Sequence, residues 1–211
     1  MTADRTQSFM AILLTDVSLA IERHEQEASQ ATKRDLVRVS FAAIEGIAWA
    51  FREHVVEWAR MVDELSSDED GALAEVIYAV DGQGKISSQR RYVALVPMIR
   101  LTARIALRLE PTAQMDFSSS RWDQLRGAVA TRNRITHPKS HADMLLSAEE
   151  VEDCVAALFW FLEQTAQVME AGVANMQDHI GQFRDLLHAL KSGDPQALAE
   201  YAAVARVISD Q

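Results

Sequence analysis

Apolar positions along the chain recur at three- and four-residue steps almost throughout, the spacing that lines one face of an α-helix. Met10, Leu13, Leu14, Val17 and Ile21 predict a first helix over residues 6–29. A clearer stripe follows: Val37, Phe41, Ile44, Ala48, Phe51, Val55, Trp58 and Val62 predict an unbroken amphipathic helix over 32–64. The polar run 66–71 reads as a loop and 72–80 as a short helix, ended by Asp81-Gly82-Gln83-Gly84. Residues 85–92 resist assignment and admit a short extended segment before Tyr92. Pro97 is awkward in a helix interior but fits the first turn of a helix that runs to Leu109 and stops before Pro111.

The second half of the chain continues the pattern. Ser120 with Asp123 resembles a capping box and opens a helix that Pro138 ends near Thr136. Ser147 with Glu150 is the fuller form of the same signal. From it a stripe runs through Val151, Val155, Leu158, Leu162, Met169, Val173, Met176, Ile180, Phe183 and Leu187, with one gap at Thr165/Ala166. This predicts one very long helix, or two collinear helices broken near Gly172 or Gly181. Such a stripe has more apolar surface than a small bundle needs, so part of it is expected to pack on a second chain. Asp194-Pro195 starts a last helix that ends near Ile208. The fold class expected is all-α.

Composition narrows this further. Eight Gly and four Pro in 211 residues are about half the usual share, which favours helices over many short strands. The single cysteine, Cys154, rules out an intramolecular disulfide, lies in an apolar helical stretch and argues for a reducing compartment. No apolar run reaches membrane-spanning length, and Met-Thr-Ala-Asp-Arg at the start lacks a secretory pattern, so a cytoplasmic protein without a membrane partner is expected. The net charge of −10 argues against nucleic acid as a partner until it is mapped along the chain. Residues 84–140 carry eleven Lys/Arg and three Asp/Glu, a net of +8, while the rest carries −18. A basic middle third can still attract a polyanion, with a strong dependence on salt. Arg100, Arg104 and Arg108 recur every four residues within it, as a solvated helix face or as a rail for phosphates.

The most informative segment is Ala-Thr-Arg-Asn-Arg-Ile-Thr-His-Pro-Lys, 130–139. With about 100° per residue, Trp122, Leu125 and Val129 define the buried arc of the 120–136 helix. Arg132 and Asn133 then fall on its two margins, facing a bundle seam, and Arg134 faces solvent. A half-buried arginine needs a partner or a ligand. The plainer reading is a helix stopped by basic residues and His-Pro. His137, His141 and Asp143 do not read as a metal site, because Pro138 breaks the helical register; neither metal nor cofactor is expected. No glycine-rich phosphate loop, serine-nucleophile elbow or Cys/His zinc spacing occurs.

Arg132-Asn133-x-x-x-His137-Pro138 resembles the signature of the HEPN superfamily (higher eukaryotes and prokaryotes nucleotide-binding): an arginine, four to six residues, then a histidine. Trp122-Asp-Gln-Leu125 before it, Ser147-Ala-Glu-Glu-Val151 and Phe159-Trp160-Phe161 after it, and Ser40-Phe41-Ala42-Ala43-Ile44-Glu45 also look like that family's core helices. The resemblance covers about residues 35–165. It implies an up-and-down helical bundle over 31–170, with an N-terminal helical extension (1–30) and a long C-terminal one (171–211). It also implies a homodimer with both motifs at the interface. Many members are metal-independent endoribonucleases, often toxins or antiviral abortive-infection effectors with an antitoxin or regulatory partner. By that likeness, Arg132 binds the scissile phosphate of RNA, Asn133 orients the pair and His137 moves a proton. Arg126, Arg134, Lys139, Arg100 and Arg104 are the expected phosphate or RNA contacts. Glu45 is either the partner of Arg132 or an ordinary surface acid. The alternative function is a non-catalytic HEPN-like module that binds a nucleotide or a partner protein.

Overall fold

The stripe that begins at Leu36 organises the molecule. In the computed structural model, which describes residues 8–209 and side chains through Ala202, it becomes helix α2 (Gln30–Met61). Ser29 caps α2 by accepting from the Thr32 N–H, and Thr32 answers through its own hydroxyl, so two orphan amides of the first turn are satisfied. Val37, Phe41, Ile44, Phe51 and Val55 along α2 are 2% exposed or less. This is the axle of the core, and burial of such side chains is the main favourable term in folding.

Helix α1 (Phe9–Gln26) lies on α2 with Val17 and Ala20 buried. The expected start at residue 6, and the first five residues read for a secretory pattern, lie outside the described part of the chain. Helix α4 (Leu95–Leu109) packs on α2 through Met98, Ile99, Thr102 and Ala106, with Pro97 in its first turn. Helix α5 (Ser120–Thr136) adds Trp122, Leu125, Ala128 and Ile135. Helix α6 (Ala148–Ser192) is one unbroken helix, and its first part joins the same core through Cys154, Leu158 and Phe161. Trp160 of α6 meets Trp122 of α5 at 6.2 Å between ring centroids. Two compact units result, residues 1–169 and 170–211; the second holds the end of α6 and helix α7 (Pro195–Ser209).

Two expectations need correction. Residues 66–71 are not a loop: Ser66 and Glu69 form a reciprocal capping box that opens a short helix α3, Ser67–Leu73. Residues 76–80 are not helical. They form strand β1 (Val76–Val80), antiparallel to β2 (Ile86–Arg90), with Tyr78 opposite Ser88. The β-branched and aromatic run Val76-Ile77-Tyr78 suits a strand. The turn is tied by Asp81, whose Oδ1 accepts from the Gln83 and Lys85 amides at 2.9 Å, and Gly84 takes φ 78°. The protein is therefore predominantly helical with one small hairpin. Among the described residues no helix is long and apolar enough to cross a membrane.

Candidate functional site at the end of α5

Helix α5 is capped one residue earlier than expected. Ser119, not Ser120, accepts from the Trp122 N–H, and Asp123 pairs with Arg126 at 3.2 Å instead of closing a box. Its other end is as expected: His137 is the C-cap, its N–H donating to the Asn133 carbonyl at 3.0 Å, and Pro138 follows.

Arg132 occupies the middle of the buried face rather than its margin, because Ala128 and Ile135 are buried beside it. It reaches α2. Its Nη2 donates to Glu45 Oε1 at 2.6 Å and its guanidinium lies 5.0 Å from the Phe41 ring centroid. Its Nη1 donates to Asn133 Oδ1 at 3.1 Å. Arg132 is therefore half-buried and held on three sides by residues of its own chain. Asn133 is exposed and does not face the seam, because it sits about 100° round the helix from Arg132.

His137 is exposed and lines an open cleft of about 540 Å³ with Asn133, Arg134, Lys139 and Asp143. Arg132 is not among the residues that line it. Asn133 is the link, lining the cleft and touching the Arg132 guanidinium. Among the described residues, the His137 imidazole has no hydrogen-bond partner.

Arg134 corrects a further expectation. Instead of facing solvent it donates through Nη1 to the carbonyls of Asp143 and Leu145, both at 2.9 Å, and through Nη2 to Glu150 Oε1. The segment after Pro138 folds back over α5 and supplies these acceptors. Asp143 stabilises the return: its Oδ2 accepts from the Lys139 N–H at 2.7 Å and the Ser140 N–H at 2.9 Å, which holds its carboxyl below the usual range. Glu150 also closes the Ser147 capping box at the start of α6. Arg134 is thus a structural clamp between α5 and α6.

The remaining basic residues separate in the same way. Arg100 lies over Phe117 and Trp122, at 4.9 and 5.3 Å from the ring centroids. Arg108 donates to both carboxylate oxygens of Glu69, at 2.7 and 2.9 Å. Arg104 lines a shallow cleft with Arg100, Leu107, Arg108 and Phe117. The rail of three arginines is therefore mostly committed to its own fold.

Sequence reasoning missed the first turns of α2. Gln30 and Lys33 donate to the Leu146 carbonyl, Arg34 to Met144 O at 3.0 Å and Arg38 to Ile135 O at 3.4 Å. They pin the loop beyond His137 and place a cation at the α5 C-terminus, where carbonyls are unpaired. The four-residue spacing of Arg34 and Arg38 was the available signal; their target was not readable. Among the described residues no three His, Cys, Asp or Glu side chains converge on a point where a metal ion would sit. No family model, curated protein or solved structure matches the chain.

Proposed function

We propose that the chain is a metal-independent endoribonuclease of HEPN type, acting as a toxin or antiviral effector, with its site at Arg132, Asn133 and His137. One observation carries this reading. An unpartnered, exposed imidazole and an arginine held by a carboxylate are joined through one asparagine where a bundle helix stops.

The chemistry follows from the groups. A phosphodiester of RNA bound there meets the Arg132 guanidinium, a planar donor suited to non-bridging oxygens. One imidazole takes the proton of the 2′-hydroxyl as its oxygen bonds to phosphorus. The bond from phosphorus to the 5′-oxygen breaks, and that oxygen takes a proton from imidazolium. The products end in a 2′,3′-cyclic phosphate and a 5′-hydroxyl. In a homodimer with facing motifs, His137 of each protomer supplies one of the two transfers. Lys139 at the rim, Arg126 and Arg104 steer the polyanion.

A second reading, a non-catalytic module that binds a nucleotide or partner protein, is favoured by the commitment of Arg132 to Glu45 and its absence from the His137 cleft. A single assay separates the two. Wild type, Arg132→Ala, Asn133→Ala and His137→Ala are incubated with mixed RNA in the presence of a chelator. The nuclease reading expects cyclic-phosphate products from wild type and losses of about 10²–10⁴-fold from the His137 variant. Intact RNA with wild type, or equal cleavage by His137→Ala, overturns it; a rise in melting temperature with added nucleotide then supports the second reading.

A further inference from the structure

From Val173 onward the apolar positions of α6 alternate strictly by three and four: Val173, Met176, Ile180, Phe183, Leu187 and Leu190. This is the heptad spacing, with Val173, Ile180 and Leu187 at one core position and Met176, Phe183 and Leu190 at the other. Among the described residues most of the seam lies open, with Met176 and Leu190 partly buried. Val173 is 42% exposed, Ile180 52%, Phe183 62% and Leu187 40%. A contiguous apolar strip about 27 Å long (18 residues at 1.5 Å each) is more than a monomer ordinarily leaves in water.

The flanking residues say what covers it. A heptad seam fits the holes of another helix with the same spacing, and the residues beside this seam complement their own reverse. Following each second core position come Glu170, Gln177, Arg184 and Lys191, all exposed. When the helix meets an antiparallel copy so that Ile180 stacks on the partner's Phe183, the core layers become Val173 with the partner's Leu190 and Met176 with the partner's Leu187. The same register sets Glu170 against the partner's Lys191 and Gln177 against the partner's Arg184. Two-fold symmetry repeats each pair. A parallel pairing matches Gly172 with Gln177, His179 with Arg184 and Leu186 with Lys191, with no opposite charges and a histidine facing a cation.

We propose that residues 170–191 of α6 form an antiparallel coiled-coil seam with the same segment of a second copy of this chain, centred near Gly181 and oriented by the Glu170–Lys191 pairs. The proposal does not rest on the nuclease reading and takes the seam as the contact that holds the dimer together, so its test reads mass rather than activity.

The full chain is studied by light scattering at tens of micromolar. Wild type is expected at twice the 23.5 kDa chain mass. Ile180→Asp with Phe183→Asp is expected to run as a monomer, with helix content checked by circular dichroism. The surface variants need no core change: Glu170→Lys weakens the dimer severalfold through two like-charge contacts, and Glu170→Lys with Lys191→Glu restores it. Mixing Glu170→Cys with Lys191→Cys gives a disulfide-linked pair that neither forms alone, with native Cys154 buried and out of reach. A monomeric wild type, a dimer that survives the double aspartate variant with its helix content retained, or a charge swap that fails to restore what Glu170→Lys removes would each overturn the seam.

Discussion

Arg132 of α5 and Glu45 of α2 meet at 2.6 Å although 87 residues separate them, and the pair fastens the motif helix to the axle of the core. Both side chains keep about a third or more of their surface, so water screens their attraction. Glu45→Gln is therefore expected to cost less than about 1 kcal/mol of stability. Its effect falls on the site: under the nuclease reading, the freed guanidinium wanders and cleavage slows about tenfold, the scale of a lost positioning contact. Thermal melts and single-turnover cleavage with the Glu45→Gln variant check both parts; unchanged cleavage would mean that Arg132 needs no holding.

Two helical glycines are expected to respond in opposite directions. A Cβ on Gly127 of α5 meets nothing within 4 Å, so Gly127→Ala should gain about 0.5–1 kcal/mol from helix propensity. A Cβ on Gly46 of α2 lies 2.3 Å from Leu13 Cδ1 and 3.3 Å from the Phe9 ring, because α1 crosses close there. Alanine can be accommodated by moving the Leu13 tip, but Gly46→Leu must lift α1 off α2, at about 1–3 kcal/mol. Urea titrations of the variants give the signs.

The Glu69–Arg108 pair makes stability depend on acid. Hydrogen bonding to Arg108, aided by the Ser66 amide, holds the Glu69 carboxyl down at about 2 from an ordinary 4.5. The folded state therefore favours the ionised form. The resulting stabilisation is fully present above pH 4.5 and is lost as pH falls towards 2. Glu69→Gln should be less stable than wild type at neutral pH by about 1–2 kcal/mol, a charged hydrogen bond's worth, as read by urea titration. The gap should close between pH 4.5 and 2, and a gap independent of pH would refute the assignment to this pair.

Burial pushes the Cys154 thiol up to about 12, beside the Val37 carbonyl in the core. The thiolate is the reactive species. Native protein at pH 8 should resist iodoacetamide, and reaction should appear only with denaturant, at the rate of global opening. Mass spectrometry after timed labelling reports this; rapid modification of folded protein would place the thiol outside the core.

What the amino-acid order determined by itself is periodic. The stripes of α1, α2, α5 and α6, the Ser147 start and the Pro138 stop depend on neighbours within a few residues. Local stereochemistry reads such signals directly. Failures occurred where distant groups competed. Val76–Val80 has too few residues for its period to decide, and pairing with Ile86–Arg90 made it a strand. Arg134 was solvated on its own helix until the 139–146 segment brought carbonyls over it. Arg132 and Arg38 each found an oxygen, Glu45 Oε1 and the Ile135 carbonyl, more than eighty residues away. A helical wheel sets the direction in which a side chain leaves its helix; only packing decides what stands there to receive it.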